Sequence, residues 1–135
     1  MNRKDAYPII LSPEDDGYIV YIPDFGMGTQ GETIPEAMEM ARDAIGLMGI
    51  DLEDDGKEIP KPYSVAIGET RKEDILTLVD IDFQEYRRQV DNRAVKKNCT
   101  IPYWMSVEAE KIGVNYSRLL QDAISNLLGI KKSVN

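Results

Sequence analysis

The sequence predicts an α+β chain of 135 residues in two modules: a small sheet with one helix in front, then a short strand and two helices. Three observations predict it. Short apolar runs bounded by turn residues come first, and apolar residues at helical spacing follow in three later segments. The charge is divided as well. Residues 1–92 hold 9 Lys+Arg against 21 Asp+Glu, a balance of −12, while residues 93–135 hold 7 against 3, a balance of +4. Between the two parts lies the polar stretch 84–95. Gln84–Arg93 reads as a short polar helix or linker, so the expected organisation is a front domain over 1–83, a linker over 84–95 and a second domain over 96–135.

In the front domain, Tyr7–Leu11 reads as a strand, Ser12–Gly17 as a turn and Tyr18–Ile22 as a second strand, together a hairpin. Pro23–Gly26 is another turn, and Met27–Gly31 a weaker strand broken by Gly28. Thr33 and Glu36 have capping-box spacing, with Pro35 in the first turn. Ile34, Ala37, Met38, Ala41, Ala44, Ile45 and Met48 form one stripe, so a helix runs to about Leu52, weakened by Gly46 and Gly49. A polar loop follows, then a short strand at Ser64–Ile67. Ile75–Phe83 is a strand apolar enough to sit inside a sheet.

Behind the linker, Lys96–Ile101 alternates: Cys99 and Ile101 share one face, Lys96, Asn98 and Thr100 the other. Pro102 ends the strand and opens a helix bearing Trp104, Met105, Ala109 and Ile112, which Gly113 stops. Asn115 caps a second helix, striped with Tyr116, Leu119, Leu120, Ala123, Ile124, Leu127 and Leu128. One strand and two helices leave the strand without a partner and the stripes without a core. A homodimer solves both: the strands pair antiparallel about a twofold axis and the stripes fuse. The ribbon then presents Lys96, Asn98 and Thr100 outward, residue types that read base edges in the major groove. The start of the second helix, at Asn115, Tyr116 and Ser117, aims its amides at a phosphate.

Composition narrows the function. A chain 42% apolar and 30% charged is expected to fold. Its single cysteine, Cys99, excludes an intrachain disulfide, and the absence of histidine excludes Ser-His-Asp and Cys-His catalysis. No apolar run approaches the roughly 20 residues that span a bilayer. Acidic residues from Glu14 interrupt any signal-peptide core. The expectation is a cytoplasmic protein without membrane, metal or cofactor, and not an enzyme.

The C-terminal run K-K-N-C-T-I-P, Trp104 and Met105, then G-V-N-Y-S-R-L-L-Q-D-A-I resembles a ribbon-helix-helix DNA-binding domain. Lys97 departs from that pattern, standing where an apolar residue is more usual. Taken with Y-P-I-I-L-S-P-E-D-D-G-Y-I-V-Y-I-P-D-F, T-Q-G-E-T-I-P-E-A-M-E-M-A and G-K-E-I-P-K-P, nearly the whole chain resembles the HicB family of antitoxins. That resemblance implies a front domain similar to a degraded RNase H fold, which blocks a small basic HicA-like RNase toxin. It also implies a C-terminal domain that represses the operon by binding operator DNA. An acidic surface suits a basic partner. Its expected contacts are Glu14, Asp15, Asp16, Tyr18, Asp24 and Phe25, aromatics as anchors and carboxylates for register.

Three rivals stay open. Asp15, Asp16, Asp24 and Asp80 could hold Mg²⁺ in a nuclease, although a module carrying −12 repels nucleic acid. The front domain could instead sense a small ligand in a ribbon-helix-helix regulator that has no toxin partner. The chain could also be an interaction scaffold with no DNA role. A dimer of dimers through the front sheets is a further option.

Overall fold

The computed structural model describes residues 4–130. It forms two compact units, 1–93 and 94–135. In the first, β1 (Lys4–Glu14), β2 (Gly17–Ile22), β3 (Met27–Gly31) and β4 (Ile75–Asp82) make one antiparallel sheet in the order β3-β2-β1-β4. Helix α1 (Ile34–Asp54) covers one face. The strands reach further than the sequence suggests. β1 runs to Glu14, leaving Asp15 and Asp16 as a two-residue hairpin turn, with Asp15 at φ 28°. Aspartate tolerates that left-handed backbone better than most residues.

The core sits between sheet and helix. Tyr7, Ile9 and Leu11 of β1, Val20 and Ile22 of β2, and Val79 and Ile81 of β4 meet Ala37, Ala41 and Ile45 of α1. Each wholly buried Ile or Leu contributes about 1.5–3 kcal/mol by leaving water. Small residues at 37 and 41 let α1 lie close to the sheet. A Cβ at Gly31 would fall 2.5 Å from the Ala37 backbone nitrogen, so this position requires glycine. Thr33 caps α1 as its spacing predicts, its hydroxyl accepting from the Glu36 amide at 3.2 Å.

Two expectations need correction. The stretch 84–95, expected as a short polar helix or linker, begins as a helix, and the boundary falls later than expected: α2 (Phe83–Val90) belongs to the first unit, which runs to Arg93. Gly46 and Gly49 are the reason. A Cβ at Gly49 would overlap the Phe83 ring, and one at Gly46 would come within 2.7 Å of Tyr86. The glycines that weaken α1 as a helix are the seats for two aromatic rings. Tyr86 donates to Asp43, and Arg87 pairs with Glu53, Asp54 and Asp91. Ser64–Ile67 is not a strand either. That segment is held by side chains: Tyr7 donates to the Pro60 carbonyl at 2.6 Å, and Asp24 accepts from the amides of Tyr63, Ser64 and Val65.

In the second unit, α3 (Tyr103–Lys111) follows Pro102, and α4 (Tyr116–Leu128) follows Asn115, whose side chain accepts from the Arg118 amide at 3.1 Å. Gly113 and Gly129 hold the left-handed backbone after each helix, at φ 68° and 72°. Lys96–Ile101, expected as a strand, is not one here, and among the described residues nothing pairs with it.

Candidate functional site

The sheet has two unlike faces. The residues expected to contact a partner divide between them. Glu14, Asp15 and Asp16 are exposed at the β1–β2 hairpin tip. Tyr18 points inward and is half-buried against the core. Phe25 is also half-buried, its ring edge-on to Tyr7 at 5.1 Å. Asp24 is buried, and both its carboxylate oxygens are engaged: Oδ2 by the Tyr63 amide, Oδ1 by the Ser64 amide and hydroxyl and the Val65 amide, at 2.8–3.2 Å. Asp24 therefore organises a loop and leaves no carboxylate edge for another protein. It is a correction to the expected contact set, because its partners lie about forty residues further along the chain and cannot be read locally.

At the hairpin end, the sheet and the start of α1 enclose an acidic notch of about 430 Å³. Glu14, Glu32 and Glu36 border it, and Tyr18, Ile19 and Met40 supply apolar surface. This notch unites Glu14 and Tyr18 of the expected set with Glu32, Glu36 and Met40, which lie beyond the hairpin in sequence.

The opposite face of the sheet escaped the sequence reading. β2 and β4 are apolar on both sides, and their outward residues Ile19, Tyr21, Leu76 and Leu78 stay near half exposure. The available signal was the lack of in–out alternation in Y-I-V-Y-I and I-L-T-L-V. Continuous apolar character suits a strand buried on both faces.

The four carboxylates considered for a metal are not gathered. Asp24 is committed to residues 63–65, and Asp80 pairs with Arg42 at 3.1 Å. Among the described residues, no group of three or more His, Cys, Asp or Glu side chains could hold a metal ion. Nor, among the described residues, is any helix long and apolar enough to cross a membrane.

In the second unit, Lys97, Cys99 and Ile101 line a groove with Tyr116, Leu119 and Leu120, of about 560 Å³. Residues 96–101 are all exposed, and Lys97, Cys99 and Ile101 are the ones that border the groove. Lys96, Asn98 and Thr100 are exposed. Tyr116 and Ser117, expected at a phosphate, border the apolar groove. Asn115 spends its side-chain oxygen on the helix cap. Neither α3 nor α4 buries a residue.

An acidic sheet module with an uncovered face, followed by a basic helical module without a core, defines a protein built to bind other molecules. The chain belongs to the HicB-like antitoxins of bacterial toxin–antitoxin systems, whose family model matches residues 7–125. It is 35% identical over 100 residues to an uncharacterized 14.9 kDa protein of Haemophilus phage HP1, an alignment covering 71% of this chain and 72% of that one. It is 43% identical over 65 residues to antitoxin HicB 1 of Photorhabdus laumondii, covering 47% of this chain and 42% of the relative. Among solved structures, a toxin–antitoxin complex from Streptococcus pneumoniae matches with TM-score 0.56 at 28% identity, over 92% of this chain and 99% of that one. The Burkholderia pseudomallei antitoxin HicB has the same fold, with TM-score 0.50 at 22% identity, over 90% of this chain and 98% of that one.

Proposed function

We propose that this antitoxin neutralises a small basic HicA-like RNase with its first unit and represses its own operon with its second. In this reading the front domain is a trimmed RNase H-like fold used for binding. The back domain is a ribbon-helix-helix dimer whose paired strands enter the major groove. The observation that carries it is the incompleteness of residues 94–130. Helix α4 is capped by Asn115, yet no described side chain there is buried, and among the described residues the alternating segment 96–101 has no strand beside it. A second copy supplies both the missing strand and the missing half of a core. The charge division fits two partners of opposite sign, a polyanion at the basic end and a cationic protein at the acidic end.

Two measurements test it. The full-length chain should co-purify with the product of a neighbouring gene for a small basic protein, and that product alone should degrade RNA. Changing Lys96, Asn98 and Thr100 to Ala should remove operator binding, a loss of at least about 1–3 kcal/mol per base contact, while toxin binding persists. Unaltered operator affinity in that variant would assign DNA recognition elsewhere.

A further inference from the structure

We infer that the uncovered face of the sheet is where the cationic toxin docks, an assignment that rests on the antitoxin reading above. The antiparallel register sets Tyr21, Ile10 and Leu76 in one row across β2, β1 and β4. Leu78 stands opposite Pro8 in the next row, and Ile19 opposite Ser12 on the other side. Alternation places all of these on the face away from α1. On the central strand Pro8 is fully buried and Ile10 is 8% exposed, whereas Ile19, Tyr21, Leu76 and Leu78 on the strands beside it are 48–56% exposed. An antiparallel sheet with one wet face ordinarily turns polar residues outward. Contiguous outward apolar rows mark a contact surface.

Charge decides the occupant. At one end the apolar strip runs through Ile19 and Gln30 into the acidic notch bordered by Glu14, Glu32 and Glu36, with Asp15 and Asp16 at the adjacent hairpin tip. The outward charged positions of the strands are Lys4, Glu14, Asp80 and Asp82, three acidic to one basic. Arg71 and Arg42 pair with Glu14 and Asp80, so the strip itself is not strongly charged at its rim. The surrounding unit nevertheless carries −12 over residues 1–92. Packing this face on a second copy brings two such units together. Packing it on a basic protein brings opposite fields together, with aliphatic or aromatic anchors on Tyr21 and Leu76 and an Arg or Lys head in the notch. A cationic protein is therefore the partner that this surface fits.

The test uses the full-length chain and the purified product of the neighbouring small basic gene. Tyr21, Leu76 and Leu78 are changed together to Thr, which keeps strand propensity. Leu78→Lys alone is the second variant, since exposed edge strands accept lysine. Amide exchange in β1 and α1 reports that each variant is folded. Toxin affinity should fall at least about 30-fold in the triple variant, while operator binding and molecular mass stay unchanged. Folded variants that bind within about twofold of the parent overturn the assignment. A drop in assembly mass with toxin binding intact gives the face to a second copy and equally overturns it. If the unaltered chain fails to bind the basic protein, the antitoxin reading itself falls, and the docking assignment with it.

Discussion

In front of Arg93, Tyr7, Ile9, Leu11 and Ile45 are wholly out of water; behind it, not one described side chain reaches that state. Both regions have well-formed helices. α1 is capped by Thr33 and α4 by Asn115, each side chain accepting from the amide three residues on. The difference teaches that capping and apolar spacing build an element, whereas a core needs a second surface in the same chain. The front unit has its sheet to meet α1. The back unit has a stripe of Leu119, Leu120 and Ile124 that stays partly exposed. Stability and assembly should therefore be separable by mutation, and the following expectations are ordered by the size of effect.

The largest effect is expected from Leu120→Asp. If a second copy closes the core of the back unit, an unpaired carboxylate there weakens self-association at least about 100-fold, close to 2.7 kcal/mol. On the proposed function, operator binding should be lost with it, while toxin binding by the front unit should remain. Sedimentation of the variant against the parent measures this. A variant of unchanged mass would break the contrast between a complete and an incomplete unit.

Ile45→Ala attacks the other side. It removes a wholly buried side chain from the α1–sheet core and should cost about 2–5 kcal/mol in the urea unfolding of the front unit. The mass of the assembly should not change. Asp24→Ala sharpens the same point at a polar site. Losing the carboxylate leaves the amides of Tyr63, Ser64 and Val65 without their acceptor, a cost of about 1–3 kcal/mol, with faster amide exchange over 63–65.

These sites also mark what could be read in advance. The order of strands and α1 was legible because each carries local signals: turn residues at 12–17, the Thr33 cap, a stripe at helical spacing. The bounds of α3 and α4 were legible from Pro102, Gly113, Asn115 and Gly129. The role of Asp24 was not, since its partners sit about forty residues away. The place of α2 was missed for a related reason. Gly46 and Gly49 weaken a helix when considered alone, and their use appears only when Phe83 and Tyr86 are laid against them. The exposed sheet face was hidden because apolar strand residues carry no sign of which face is covered. For the expected contacts, the acidic hairpin tip lies at the surface, while Phe25 and Asp24 turn toward the interior.

The smallest expected effect lies at the junction between the regions. Asp91 accepts hydrogen bonds from the Arg93 side chain at 2.8 and 2.9 Å, from the Arg93 amide at 3.3 Å and from Arg87 at 3.0 Å. The Arg93 side chain is the main reason its carboxyl is held well below the ordinary value of 3.8, with the Arg93 amide and Arg87 adding to it. A carboxylate depressed by folding contributes stability above its unfolded value; that contribution fades as pH falls below about 4 toward the folded value. The parent should therefore lose more protection in α2 than Asp91→Asn does when pH is lowered from about 7 to about 3, with amide exchange over 83–93 as the measurement. The partners of this network, Glu53, Asp54, Arg87 and Arg93, all precede Ala94. Protection in α3 and α4 should consequently respond alike in parent and variant. A variant-specific change there would mean that the acid-sensitive network reaches past Arg93, and that the two units are coupled through the segment that joins them.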